Sequence, residues 1–241
     1  MTEVPKLLLG AVHVWWAAPS DAAPWMYELL NEAERGRHSR YRRPIDQDRF
    51  LVGCTLLKRA AAAQLDIDAS AVTLVRICPD CDEPHGKPTL PQSDLELSLA
   101  HSGDRVVIAI ALRTPVGVDV EQETATLDPD ALAGTVLTAR EAAALAALPA
   151  SQRRAGFLAY WTRKEAVLKA TGDGLRMPLP HVEVTGPVEP PRVLTIAGRS
   201  PEQISLLGLD AGPDHAAALA VIGPAPEQVL QLNASTLFKN R

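Results

Sequence analysis

Cysteine is scarce in this chain of 241 residues, with only Cys54, Cys78 and Cys81. Three thiols are too few and too poorly matched for a secreted disulfide framework, so a reducing compartment, the cytoplasm, is expected. Cys78-Pro79-Asp80-Cys81, with His85 beyond it, has the form of half a zinc knuckle, but no second pair completes four ligands. Apolar runs long enough to cross a membrane are also missing. The nearest approach, Leu7 to Ala18 after Lys6, superficially resembles a signal peptide, and Glu3 and His13 spoil that reading. The alternation of Val12, Val14 and Trp16 fits a first strand with a buried side better. Positive charge is in deficit: the net charge of -5 argues against bulk nucleic-acid binding. Apolar residues, by contrast, make up 46% of the chain, enough to bury a substantial core as one large domain or two small ones.

Asp21 to Arg40 is expected as a helix capped at Ser20 or Asp21 and ending in a cationic cluster. Arg35, Arg37, Arg40, Arg42 and Arg43, with His38, crowd this short segment. Such runs are usually solvated faces, but one confined to a single segment of an acidic protein suits a discrete phosphate ligand better than a long polyanion. Pro44 suits the first turn of the next helix, placed at 44–65, which buries Phe50, Leu51, Leu57 and Ala61. A strand at 72–77 precedes Gly86-Lys87-Pro88, a tripeptide that taken alone is a turn. Strands are expected at 95–99 and 105–112, on either side of Ala100-His101-Ser102-Gly103-Asp104. Asp128-Pro129 opens a helix, and Thr138-Ala139-Arg140-Glu141 has the capping-box form at the start of an alanine-rich one that stops near Pro149. The runs 182–185, 193–196, 204–209 and 216–222 read as strands of an antiparallel sheet, and the tail after Pro224 carries no recognisable chemistry. Periodicity alone gives an α+β class.

Two stretches carry the chemistry. Tyr160 to Leu175 belongs to a helix starting near Ser151, with Phe157, Leu158, Trp161 and Leu168 spaced down one side. Glu165 falls on that same side, where an ionised carboxylate is costly unless a cation meets it, and Lys169 is its nearest candidate partner. An ordinary surface pair is the plain alternative. Gly172-Asp173-Gly174 ends this helix rather than opening one, so it reads as a C-cap and not a phosphate cradle. Upstream, Pro115 to Glu121 alternates as a strand, with Val116, Val118 and Val120 on one side and Gly117, Asp119 and Glu121 on the other. Two carboxylates on one strand face mark either a charged sheet edge or, with a third from a helix, a Mg²⁺ site.

Gly117-Val118-Asp119-Val120-Glu121 followed by Trp161 to Leu175 resembles the paired motifs of the Sfp-type 4′-phosphopantetheinyl transferases, and the likeness spans about positions 30 to 180. The resemblance implies two pseudo-twofold-related α+β halves, each a long helix packed on a small antiparallel sheet. These are placed at 1–114, carrying coenzyme A phosphate contacts, and 115–241, carrying the metal site and carrier-protein docking. It implies transfer of the phosphopantetheine arm of coenzyme A to a serine of an apo acyl or peptidyl carrier protein, with Mg²⁺ as cofactor. The alternatives are a Mg²⁺-dependent phosphohydrolase and a non-catalytic carrier-binding module. The pathway, whether fatty acid, polyketide or nonribosomal peptide, is left open, and a monomer is expected.

By the same resemblance Asp119 and Glu165 hold the metal, with Glu121 joining directly or through water. Glu165, or else a water or substrate phosphate, takes the serine proton. Lys169 meets coenzyme A phosphate, and Asp119 counts among the coenzyme A contacts as well as the metal ligands. Alignment of Tyr41, Asp46, Arg49 and Gly53 with the family pattern puts Arg37 at the 3′-phosphate. Gly86, Lys87 and Pro88 approach the nucleotide end, and His101 with Ser102 forms a phosphate-binding turn in which Ala100 replaces the family's serine. Lys164 points elsewhere, and its role is open. Met177, in the segment 174–179, is expected to touch the carrier, and Leu175 either joins it or packs back on Leu168.

Overall fold

The computed structural model describes residues 4–77, 86–91 and 93–239. Cys78, Cys81 and His85, read above as half a zinc site, lie outside the described residues. In chain order the strands are β1 (Ala11–Ala17), β2 (Leu95–Ser102), β3 (Arg105–Leu112), β4 (Val116–Gln122), β5 (Val182–Val184), β6 (Val193–Ile196), β7 (Ile204–Gly208), β8 (His215–Ile222) and β9 (Gln228–Asn233). The helices are α1 (Pro24–Glu28), α2 (Glu32–Arg40), α3 (Pro44–Leu65), α4 (Pro129–Val136), α5 (Ala139–Ala146), α6 (Arg153–Thr171) and α7 (Ser235–Lys239). Helices and small sheets make this an α+β fold.

The chain forms two compact units, Met1–Thr114 with Glu227–Arg241, and Pro115–Pro226. Residues 227–241, expected with the C-terminal half, belong to the first unit because β9 pairs in parallel with β1, Val14 facing Gln231. The first sheet, ordered β2-β3-β1-β9, is therefore mixed rather than purely antiparallel. Its core lies between β2 and β3 and the long α3, where Leu97, Val106, Ile108 and Ile110 meet Leu56, Leu57, Ala60 and Ala61. Pro44 stands in the first turn of α3, as its lost N–H permits.

The single helix expected over 21–40 is instead two. Pro24 opens α1, and α2 begins afresh at Asn31, whose side chain caps Glu34 while Glu34 Oε2 accepts from the Asn31 N–H. The strand expected at 72–77 reduces to one antiparallel bridge between Val75 and Thr89.

In the second unit α6 packs on β4 and β8 of an antiparallel sheet ordered β4-β8-β7. The runs expected to form one sheet divide: β5 and β6 make a separate two-stranded ribbon with an irregularity after Glu183. The approach of α6 to β4 is close enough that a Cβ on Gly117 would collide with the backbone of Ala166, Lys169 and Ala170. Only glycine fits there. Gly172 ends α6 in the left-handed conformation, φ 78°, as a C-cap should.

Candidate active site

Helix α6 is buried over most of its circumference, through Phe157, Leu158, Tyr160, Ala166, Val167, Leu168 and Ala170. Trp161, Glu165 and Lys169 recur one turn apart and form its half-buried stripe. Of the side expected to be buried, Phe157, Leu158 and Leu168 are buried, whereas Trp161 and Glu165 lie on the half-buried stripe with Lys169. Because Gly117 brings β4 against this helix, the strand face bearing Asp119 meets that stripe. Lys169 Nζ donates to Asp119 Oδ1 at 2.6 Å, so the lysine expected to partner Glu165 is held by the aspartate instead. Asp119 is buried, and its Oδ2 has no hydrogen-bond partner. Burial pushes its carboxyl above the usual range despite the opposing charge of Lys169. Glu165 is also raised, by burial first and then by the charge of Asp119, against the pull of Lys169. Glu121 lies two positions along the same strand face, half-buried at the end of β4.

Among the described residues no group of three or more histidine, cysteine, aspartate or glutamate side chains stands close enough to hold a metal ion. The donor chemistry nevertheless suits a hard divalent cation: Asp119 Oδ2 is a buried carboxylate oxygen with nothing to satisfy it, and Glu165 is its electrostatic neighbour.

Lys164, whose role the sequence left open, is completely buried. Its Nζ donates to Glu141 Oε2 at 2.5 Å and to the Val136 carbonyl at 2.7 Å. Glu141 is the carboxylate that closes the capping box at Thr138, and its Oε1 also accepts from the Val184 N–H at 2.9 Å. One side chain thus ties α5, α6 and β5 together. The capping-box spacing revealed Glu141 as an N-terminal residue of a helix, whereas nothing local revealed it as the partner of Lys164.

The residues predicted to meet the nucleotide end of coenzyme A lie in the first unit. Arg37, half-buried in the last turn of α2, sets its guanidinium 5.5 Å from the centre of the Phe50 ring. His101 is exposed near the end of β2, Ser102 faces Arg105 across the hairpin, and Ala100 is buried in the strand before them. Their turn is braced by Arg49. Its Nε donates to the Gly103 carbonyl at 2.9 Å, while Nη1 donates to Asp46 Oδ1 at 2.7 Å. Gly86 donates its N–H to the Arg76 carbonyl at 2.8 Å, and Pro88 is buried. Lys87 Nζ stands 3.5 Å from Glu96 Oε2, and burial lowers the proton affinity of that amine. Met177, expected as an exposed carrier contact, is half-buried against the second core. The side chain of Leu175 lies outside the described residues.

An α+β fold with a buried carboxylate, a second carboxylate and a lysine brought together by a glycine-mediated strand–helix contact defines a class of phosphoryl-transfer candidates. Comparison with known proteins narrows it. The family model of the 4′-phosphopantetheinyl transferase superfamily matches residues 115–220. The 4′-phosphopantetheinyl transferase HetI of Nostoc sp. is 31% identical over 235 residues, covering 92% of this chain and 94% of that protein. The phosphopantetheinyl transferase of Thraustochytrium sp. is 31% identical over 73% of this chain and 66% of its own. Sfp of Bacillus subtilis is 26% identical over 65% of this chain and 66% of its own. The chain belongs to the 4′-phosphopantetheinyl transferase family.

Proposed function

We propose that the chain transfers the 4′-phosphopantetheine arm of coenzyme A to a serine hydroxyl of an acyl or peptidyl carrier protein. The serine oxygen forms a bond to the phosphorus next to the pantetheine. The bond from that phosphorus to the bridging pyrophosphate oxygen breaks, and adenosine 3′,5′-bisphosphate leaves. Such a displacement needs charge neutralisation and in-line positioning more than covalent help. The observation that carries the reading is the assembly of Asp119, Glu165 and Lys169, with Asp119 Oδ2 buried and unsatisfied. Asp119 and Glu165 are the residues that would hold Mg²⁺, with Glu121 direct or through water. When bound, Mg²⁺ supplies positive charge to the pyrophosphate oxygens.

Lys169 offers its ammonium to the same oxygens, having Asp119 to orient it. Glu165, or else a water or substrate phosphate, would accept the serine proton. In the first unit Arg37, His101 and Ser102, with Gly86, Lys87 and Pro88, serve the nucleotide end of coenzyme A. The Arg49 brace holds the turn that carries His101. The carrier docks on the second unit, where Arg176 in the segment 174–179 is exposed.

Incubating the protein with coenzyme A, Mg²⁺ and an apo carrier, then weighing the carrier, tests this directly. A carrier heavier by one phosphopantetheine is expected. Coenzyme A consumed without a carrier would indicate a hydrolase, and carrier binding without modification a non-catalytic module. Either result overturns the reading.

A further inference from the structure

Each of the two larger sheets ends in two edge strands, β2 and β9 in the first and β4 and β7 in the second. An edge strand is a template for pairing with another chain unless charge, proline or a covering element blunts it. Three of the four are blunted. β2 carries Glu96, which Lys87 Nζ approaches to 3.5 Å. β4 carries Asp119 and Glu121 and is buried over most of its length. β7 has β6 beside it, and Pro191 lies 3.8 Å from where a Cβ on Gly208 would stand. β9 has none of these protections. Its sequence, Gln228-Val229-Leu230-Gln231-Leu232-Asn233, contains no charge and no proline, and none of its residues is buried. Among the described residues β9 pairs with β1 alone. The backbone bonds at its two ends, from the Glu227 N–H to the Gly10 carbonyl and from the Ala234 N–H to the Trp16 carbonyl, each 2.8 Å, are also made on the β1 side. The outer side therefore presents a row of backbone N–H and C=O groups. Exposed apolar surface adjoins it: Leu8 and Leu9, 65% and 64% exposed, stand in the turn whose Gly10 is bonded to Glu227 at the start of β9. A single exposed leucine needs no explanation, but two together beside an unprotected edge form one continuous surface with it.

We infer that β9 is a self-association edge, through which two copies of the chain pair antiparallel about a twofold axis between Leu230 and Gln231, joining their first sheets into one of eight strands. The inference stands apart from the transferase reading and does not depend on it. A second copy is the partner that fits, because an antiparallel edge contact on a twofold axis is self-complementary. In this register all six residues pair: Gln228 faces Asn233 of the other copy, Val229 faces Leu232, and Leu230 faces Gln231. With no charge in the strand, no like charges meet across the contact. Glu227, the ionisable residue just before β9, falls opposite Ala234 of the other copy. Each copy's Leu8–Leu9 turn then flanks one end of the new ladder, so pairing brings apolar surface as well as backbone groups to the contact.

The test is sedimentation equilibrium of the full chain from about 1 to 100 µM, the range in which a contact this small dissociates. The mass should rise from 25.8 kDa toward twice that value. A mass of 25.8 kDa at every concentration, the monomer expected from sequence, overturns the inference. Gln231→Lys sets a lysine beside the axis in each copy, and should weaken the dimer by about tenfold or more while the dilute protein still melts cooperatively. A dimer that this substitution leaves untouched pairs through another surface, which also overturns the assignment. Hydrogen exchange on the wild type needs no variant, and decides the matter if Gln231→Lys does not fold. The amides of 228–233 should gain protection between about 1 and 100 µM, while those of β3, inside the sheet, stay as they are. Protection of β9 that does not change with concentration overturns the inference, and so does protection that appears only when an apo carrier is added.

Discussion

Two lysines on α6 each hold a carboxylate, and the contrast between them separates scaffold from chemistry. Lys164 and Glu141 are both buried, and every oxygen of Glu141 is used, on Lys164, the Thr138 N–H and the Val184 N–H. Lys169 and Asp119 form a similar contact at 2.6 Å, but the lysine is half-buried and one aspartate oxygen is left with nothing. A closed network of satisfied partners holds elements in place. A pair that keeps a buried lone acceptor is poised to receive something else.

The contrast can be broken first at its scaffold half. Lys164→Met leaves Glu141 charged and buried without its cation, and should cost about 3–5 kcal/mol in chemical denaturation. Loss of less than about 1 kcal/mol would mean that the pair is not the anchor claimed here. At the functional half, Asp119→Ala should lower kcat for carrier modification by about 10²–10³-fold with little change in the unfolding midpoint. A large midpoint shift would put Asp119 in the scaffold with Glu141.

Gly117→Ala tests what joins the halves. The added methyl meets the backbone of α6 rather than a flexible side chain, so β4 and helix must separate. A destabilisation of about 1–3 kcal/mol is expected, together with a fall in transfer activity larger than the stability loss explains.

The smallest effect has opposite signs in the two pairs. Because burial raises the Asp119 carboxyl above its unfolded value of 3.8, the native state binds more protons than the unfolded state once the pH passes that value. The charged form therefore subtracts stability at neutral pH, and the penalty is relieved as the pH falls through the raised native value toward 3.8. Asp119→Asn should accordingly melt higher than wild type at pH 7 in metal-free buffer, with the gain vanishing in acid. Glu141→Gln, in a pair already satisfied, should melt lower at pH 7. Equal signs for the two would erase the distinction between them.

How much of this was legible in sequence differs from element to element. Pro44, the capping box from Thr138 to Glu141 and the C-cap at Gly172 are local signals, and they marked helix ends because the groups they satisfy lie within a turn of them. The alternation Gly117, Asp119, Glu121 placed the carboxylates on one strand face. Helix α6 was harder: its apolar residues pointed to a single buried side, yet it is buried nearly all round, and the half-exposed stripe carries Trp161, Glu165 and Lys169. A helix enclosed by neighbours loses the amphipathic signal from which a buried side is read.

The sequence by itself determined the family motifs, the α+β class and the identity of the acidic and basic residues, because these depend on residue type and on spacing within one element. Only the tertiary structure decided which partner each charge has. Lys169 takes Asp119 rather than its helix neighbour Glu165, Lys164 takes Glu141, and Arg76 keeps its Nε and Nη2 buried without a hydrogen-bond partner. It also decided that the tail returns to pair with β1. Such choices join groups far apart along the chain. They are settled by which buried charges can be neutralised once the elements have packed, a condition that no local pattern records.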